Sequence, residues 1–187
     1  MDRREAIKRT AFLMGGAVSS STIMGLLQGC STRPNLNWKP TFFTEDQAYV
    51  VSQIAEIYIP QTDTPGAKQI GVPAFIEQLV SQVYNEETSA RFMTGLDEFI
   101  KNVKESTGDE FSELEQAQQM EQVRKAHDAD FRKSPRPFIM TVKELTLLGF
   151  FTSEVGATEV LQYEAVPGLY QSCKPLSEVG GKTWATS

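Results

Sequence analysis

From residue 44 onward, apolar side chains recur every three to four positions, the period of helices that bury one face. Thr44-Glu45-Asp46-Gln47 reads as a capping box, in which the Thr hydroxyl accepts from the third helical N–H and Gln47 reaches back. Val50, Val51, Ile54, Ile57 and Tyr58 give this first helix its stripe, and Pro60 ends it. A loop is expected over residues 61–70, punctuated by Thr64-Pro65-Gly66. Pro73 suits the first turn of a second helix, where its missing N–H costs nothing, and Phe75, Ile76, Leu79, Val80 and Val83 form its face. A third helix is predicted from about Ser89 to Ser106 on Phe92, Met93, Leu96, Phe99, Ile100 and Val103, with Gly108 as a left-handed terminator. Ser112-Glu113-Leu114-Glu115 reads as a second capping box opening a fourth helix, with Leu114, Ala117, Met120, Val123 and Phe131 as its buried stripe.

Pro135 and Pro137 then break the chain before a fifth helix from Phe138 to about Phe150. Its run Leu145-Thr146-Leu147-Leu148-Gly149-Phe150-Phe151 is apolar nearly all round, as befits a central helix. A short helix through Val160 follows Ser153. From Tyr163 to Ser187 the helical period is gone, and Pro167-Gly168, Pro175 and Gly180-Gly181 mark an irregular tail. The expected fold is all-α, an irregular bundle of five to six helices with an extended C-terminal tail.

The first thirty residues follow a different pattern. Arg3, Arg4, Lys8 and Arg9 precede a stretch without charge from Thr10 to Thr32, the layout of an export signal. The stretch is long enough to cross ~30 Å of hydrocarbon. Gly15, Gly16, Gly25, Gly29 and the run Ser19-Ser20-Ser21-Thr22 dilute it, which favours a signal over a permanent span. The pair Arg3-Arg4, with Ile7 and Lys8 behind it, resembles a twin-arginine signal, a route for proteins exported already folded. Leu26-Leu27-Gln28-Gly29-Cys30 resembles a lipobox, in which Cys30 is acylated and becomes the new N-terminus; the plain alternative is a structural Cys. Ser31-Thr32-Arg33-Pro34-Asn35 has the polar character of a tether. The expected organisation is a signal over 1–29, a lipidated tether over 30–43 and a helical domain over 44–187. The expected location is the periplasmic side of a bacterial envelope, with inner and outer membrane both open.

Composition narrows the chemistry. The 187 residues include one His and two Cys, too few for a Cys₄ or Cys₂His₂ zinc site, a c-type haem attachment or an iron–sulfur cluster held by this chain alone. A net charge of −6 speaks against a nucleic-acid surface, which needs a basic patch. Removing residues 1–29 leaves 14 basic and 22 acidic side chains, a net charge of −8. Anionic lipid therefore cannot hold the mature chain, and membrane attachment falls to Cys30, with each acyl methylene worth about 0.8 kcal/mol.

His127, in Lys125-Ala126-His127-Asp128-Ala129-Asp130, is either a general base or a solvated surface His, and no nucleophile stands at a matching position. Glu86-Glu87, Glu113/Glu115 and Asp128/Asp130 suit helix starts and polar faces better than paired-carboxylate chemistry. Cys173 is the odd thiol of an exported chain. It either pairs with a Cys of another subunit or lies buried. The tail aromatics Tyr163, Tyr170 and Trp184 suit an arm on a partner or one on the chain's own core. No catalytic, cofactor-binding or metal-ligating residue stands out.

Two segments carry a family resemblance. One is Trp38-Lys39-Pro40-Thr41-Phe42-Phe43-Thr44 with Ile59-Pro60-Gln61-Thr62-Asp63-Thr64-Pro65-Gly66-Ala67 and Val72-Pro73-Ala74-Phe75-Ile76. The other runs from Lys143 through Leu145-Thr146-Leu147-Leu148-Gly149-Phe150-Phe151 to Thr158, followed by Tyr163 and Val166-Pro167-Gly168. With the twin-arginine start, the chain resembles the gluconate 2-dehydrogenase subunit 3 family. The resemblance implies a small, non-catalytic (gamma) subunit of a flavin-dependent sugar or sugar-acid dehydrogenase. FAD is then expected in the partner, a large subunit of the glucose–methanol–choline type that lacks its own signal and is exported while bound to the small subunit. Some complexes add a cytochrome c subunit. On this reading Arg3 and Arg4 engage the twin-arginine translocase and Cys30 anchors the product. The alternative is a standalone envelope lipoprotein acting as a structural or binding module; an enzyme in its own right is a third reading, resting on His127.

Overall fold

The computed structural model describes residues 36–166, 168 and 173–185. The signal (Arg3 and Arg4 included), Cys30 and the first part of the tether lie outside the described residues. Five α-helices form the bundle: α1 Glu45–Tyr58, α2 Val72–Gln78, α3 Glu86–Thr107, α4 Gln116–Asp130 and α5 Phe138–Phe151. No strand occurs among the described residues, so the fold is all-α as expected. None of the described helices is long and apolar enough to cross a membrane.

Local chemistry sets most boundaries. Thr44 and Gln47 form the predicted capping box of α1. The loop after α1 is pinned by Glu56, whose carboxylate accepts from the backbone N–H groups of Gln61 (3.1 Å) and Lys68 (3.0 Å). At Gly66 a Cβ would stand 2.4 Å from Glu56 Oε1 and 2.7 Å from the Gln61 nitrogen, so the loop closes only over a bare Cα. Val72–Gln78 runs on into a π-helical turn, Leu79–Val83, closed by the Tyr84 N–H on the Leu79 carbonyl. Helix α3 starts a turn earlier than its apolar stripe suggests, because Asn85 caps it by accepting from the Thr88 N–H at 2.9 Å. It ends at Gly108, whose φ of 86° is the predicted left-handed stop.

Helix α4 departs from expectation. It begins at Gln116, with Glu115 and Gln118 as the capping box, rather than at Ser112. The preceding turn buries Phe111 and Leu114 in the core, and the buried Gln119 donates to the Phe111 carbonyl at 2.8 Å, fixing that turn. Ala117, Met120 and Phe131, predicted to be buried, are exposed. The buried face of α4 is carried by Val123 and Gln119.

Helix α5 is central, packing against α1, α2, α3 and α4. Close approach needs glycine at two points. A Cβ at Gly149 would stand 2.7 Å from the Phe75 ring of α2, and one at Gly95 of α3 would stand 2.5 Å from Phe138 Cβ. A chain of aromatic contacts crosses the core from Phe43 to Phe92 (6.0 Å between centroids), Phe92 to Phe138 (5.1 Å), Phe138 to Phe99 (6.0 Å) and Phe99 to Phe111 (5.6 Å). After α5 the expected short helix is a π-helical turn, Gly156–Val160. The tail then returns. Gln162 donates its N–H to the Thr183 carbonyl at 2.7 Å and accepts from the Ala185 N–H at 2.8 Å, forming an isolated parallel bridge with Trp184 as its partner. A 3₁₀ turn at Leu176–Val179 places Val179 in a buried position.

Candidate functional site

A polar site with four converging donors is built around one side chain of α2. Glu77 occupies the apolar face that also carries Pro73, Ile76 and Val80, and it is only 4% exposed. Its Oε1 accepts three successive backbone N–H groups, from Thr41 (2.8 Å), Phe42 (2.7 Å) and Phe43 (3.0 Å). Its Oε2 accepts from the Trp38 indole at 2.9 Å. Burial alone would push this carboxyl up. The bonds from Phe42, Phe43, Trp38 and Thr41 outweigh burial and hold it below the usual carboxylate range. Residues 38–43, assigned to the tether by sequence, are therefore bound to the helical domain. Leu36 and Trp38 pack against the core and Phe43 enters it.

A second polar cluster lies where α1, α4 and α5 meet. Lys143 Nζ of α5 stands 3.2 Å from His127 Nε2 of α4 and 5.9 Å from the Tyr58 ring centroid. An ammonium has only hydrogens to offer, so Nε2 accepts and the imidazole proton sits on Nδ1, 3.5 Å from Asp128 Oδ1. The imidazole is flanked by Tyr58 (6.5 Å) and Phe131 (5.7 Å). His127 is thus not the solvated surface residue expected from its polar surroundings, since its side chain is 24% exposed. Its Nε2 faces Lys143 Nζ from the neighbouring helix rather than open solvent. The Tyr58 hydroxyl is buried without a hydrogen-bond partner among the described residues, and burial pushes its pKa up to about 12.

A groove of about 1140 Å³ runs between α3, α4 and the loop into α5, with Phe99, Val103, Phe138 and Ile139 as its floor. Its cationic side chains are each matched by a carboxylate: Arg91 by Glu87, Lys125 by Glu121, Lys133 by Asp130 and Arg136 by Glu144. The arrangement makes a polar, locally neutralised trough rather than an anion site.

Cys173 is exposed, which removes the reading in which it is buried. On the tail, Tyr163 and Trp184 are exposed as well, and Lys174 lies 5.7 Å from the Trp184 ring centroid. Tyr170 lies outside the described residues.

The bundle from α1 to the residues beyond its last π-helical turn also matches a known family. The family model for gluconate 2-dehydrogenase subunit 3 covers residues 45–168. The chain belongs to this family. As a gluconate 2-dehydrogenase subunit 3 relative, it is a subunit type associated with a dehydrogenase complex. Curated proteins and solved structures give no match. The family region holds Glu77, Tyr58, His127, Lys143 and the groove. The segment that Glu77 binds, residues 38–43, lies just before it.

Sequence reasoning missed Glu77 and misplaced His127. A signal for Glu77 was present: a carboxylate at position 77 interrupts the stripe of Pro73, Ile76 and Val80, and a charge inside a buried face needs partners. The environment of His127 had no local signal, because Tyr58 and Lys143 come from other helices.

Proposed function

We propose that this chain is the non-catalytic accessory subunit of a periplasmic flavin-dependent sugar or sugar-acid dehydrogenase. It is needed for folding and twin-arginine export of a large subunit of the glucose–methanol–choline type, and it attaches the complex to the membrane. FAD and catalysis reside in that large subunit. The observation that carries this reading is membership of the subunit 3 family across residues 45–168. It is supported by the Arg3-Arg4 pair and by Cys30 at the end of the uncharged stretch. A signal suited to folded cargo, on a chain with one His and one non-signal Cys, makes sense when the cargo is a cofactor-loaded partner.

In this reading Arg3 and Arg4 carry the pair of subunits to the translocase, and Cys30 holds them at the periplasmic face through its acyl chains. Replacing Arg3 and Arg4 together by Lys should leave the flavoprotein in the cytoplasm, read by fractionation and dehydrogenase activity of each fraction. A flavoprotein that still reaches the periplasm overturns the proposal. Affinity purification of the tagged chain gives an independent check: the flavoprotein should copurify, and recovery of the chain as a lone monomer favours a standalone lipoprotein.

A further inference from the structure

We propose that residues 36–42 form a strap latched by Glu77, which opens as a unit while the helical bundle stays folded. The strap has the anatomy of a separable element. Among the described residues its backbone makes no hydrogen bond to other backbone. The N–H groups of Thr41 and Phe42, and the Trp38 indole, all converge on the one carboxylate, together with the Phe43 N–H at the boundary. Among the described residues the one other strap hydrogen bond, from Asn37 Nδ2 to the Lys68 carbonyl, is long at 3.4 Å. Asn37, Lys39, Thr41 and Phe42 are exposed, and Leu36 and Trp38 are only partly buried. Phe43 is different: it is buried and stacked on Phe92. That contact marks where the strap ends and the bundle begins.

The latch also depends on folding. Glu77 meets its donors across 34 to 39 residues of sequence, and its position is set by Val72, Pro73 and Ile76 packing into the core. An unfolded or half-assembled chain offers the strap no carboxylate at the right place. Latching therefore reports that α2 has docked. On the export reading, which this one consequence requires, residues 36–42, which follow the signal in sequence, latch only after the domain has folded. Opening of the strap itself requires no such reading.

The test uses the purified full chain and its Glu77→Gln and Trp38→Phe variants. The amide introduced by Glu77→Gln keeps one neutral acceptor oxygen but sets an NH₂ group against a strap donor in place of the other, and it removes a buried charge while keeping the side chain's shape in the bundle. Chymotrypsin cleavage after Trp38 and Phe42, followed by mass spectrometry, reports opening. Circular dichroism at 222 nm reports the helices. Glu77→Gln should speed cleavage after Trp38 and Phe42 by about tenfold or more, the loss expected for several bonds to a charged acceptor. The helices should melt within a few degrees of the parent. Trp38→Phe, which removes the indole bond and keeps an aromatic ring, should give a smaller acceleration at Phe42. Parent-like cleavage in Glu77→Gln overturns the latch. Helices that melt in step with strap cleavage overturn the separate unit. Neither result bears on whether Arg3 and Arg4 direct export.

Discussion

Tyr58→Phe should stabilise this protein, against the usual direction of core substitutions. The Tyr58 hydroxyl is buried with no hydrogen-bond partner among the described residues, and a polar group left unsatisfied carries a penalty of about 1–3 kcal/mol. Phe keeps the ring that lies under Lys143 Nζ at 5.9 Å and beside His127, so the cation–π and edge contacts survive. A few dispersion contacts of the oxygen are lost, leaving a net gain of about 1 kcal/mol. For a domain of this size that raises the melting temperature by roughly 2–4 °C. The pH dependence provides a second, sharper signature. Tyr58 is held protonated in the folded state up to about 12, whereas the unfolded chain releases that proton near its ordinary value of 10.0. The unfolded state of the parent therefore gains stability by ionising as pH rises through 10, and the folded state does not follow until about 12. The advantage of Tyr58→Phe should be flat below pH 10 and widen from there to about 12. Thermal or urea unfolding of both proteins, followed at 222 nm across pH 7–11, measures it. A destabilised Tyr58→Phe, or a difference that does not change with pH, would show that the hydroxyl is satisfied in the folded protein and that the reasoning is wrong.

Three further outcomes follow from the geometry. Gly66→Ala should destabilise by about 1–3 kcal/mol, the range for forced overpacking, because the new methyl meets Glu56 Oε1 at 2.4 Å and the Gln61 nitrogen at 2.7 Å; urea unfolding at constant m value measures it. Glu77 is held below the usual carboxylate range, so its hold on the strap is complete above about pH 4.5 and disappears as pH falls through the lower folded value; Glu77→Gln should therefore flatten the acid limb of strap opening in that window, read by acid titration of Trp38 fluorescence in a Trp184→Phe background. Exposed Cys173 should give a reductant-sensitive band at the summed subunit mass on non-reducing electrophoresis of the complex, and a lone band at the mass of this chain would exclude the intersubunit disulfide.

The helices were legible where one turn of chain decides them. Thr44 with Gln47, and Gly108 with its forced left-handed φ, act through neighbours in sequence, and α1 and the end of α3 lie as read. The start of α4 was not legible, because two capping patterns overlap at Glu115 and the choice between them is made by Phe111 packing under Phe99 and by Gln119 reaching back to the Phe111 carbonyl. Met120 and Phe131 fit the helical period yet are exposed, since periodicity gives the spacing of a face and not what covers it. Glu77 and His127 depend on groups from 16 to 69 positions away, beyond any local pattern. The family segments, by contrast, were readable across residues 45–168 without knowing a single contact.

The grip of Glu77 on residues 38–43 also sets a length. Under the proposed acylation of Cys30, five residues (31–35) separate it from Leu36, six Cα-to-Cα steps that reach about 20 Å when fully stretched. On that reading, a leash that short would limit how far the helical domain could move from its anchor. Unlatching would add the strap to the leash and more than double its reach. On the proposed lipidation of Cys30, the carboxylate on α2 would set how far from its anchor the subunit, and whatever it carries, could reach.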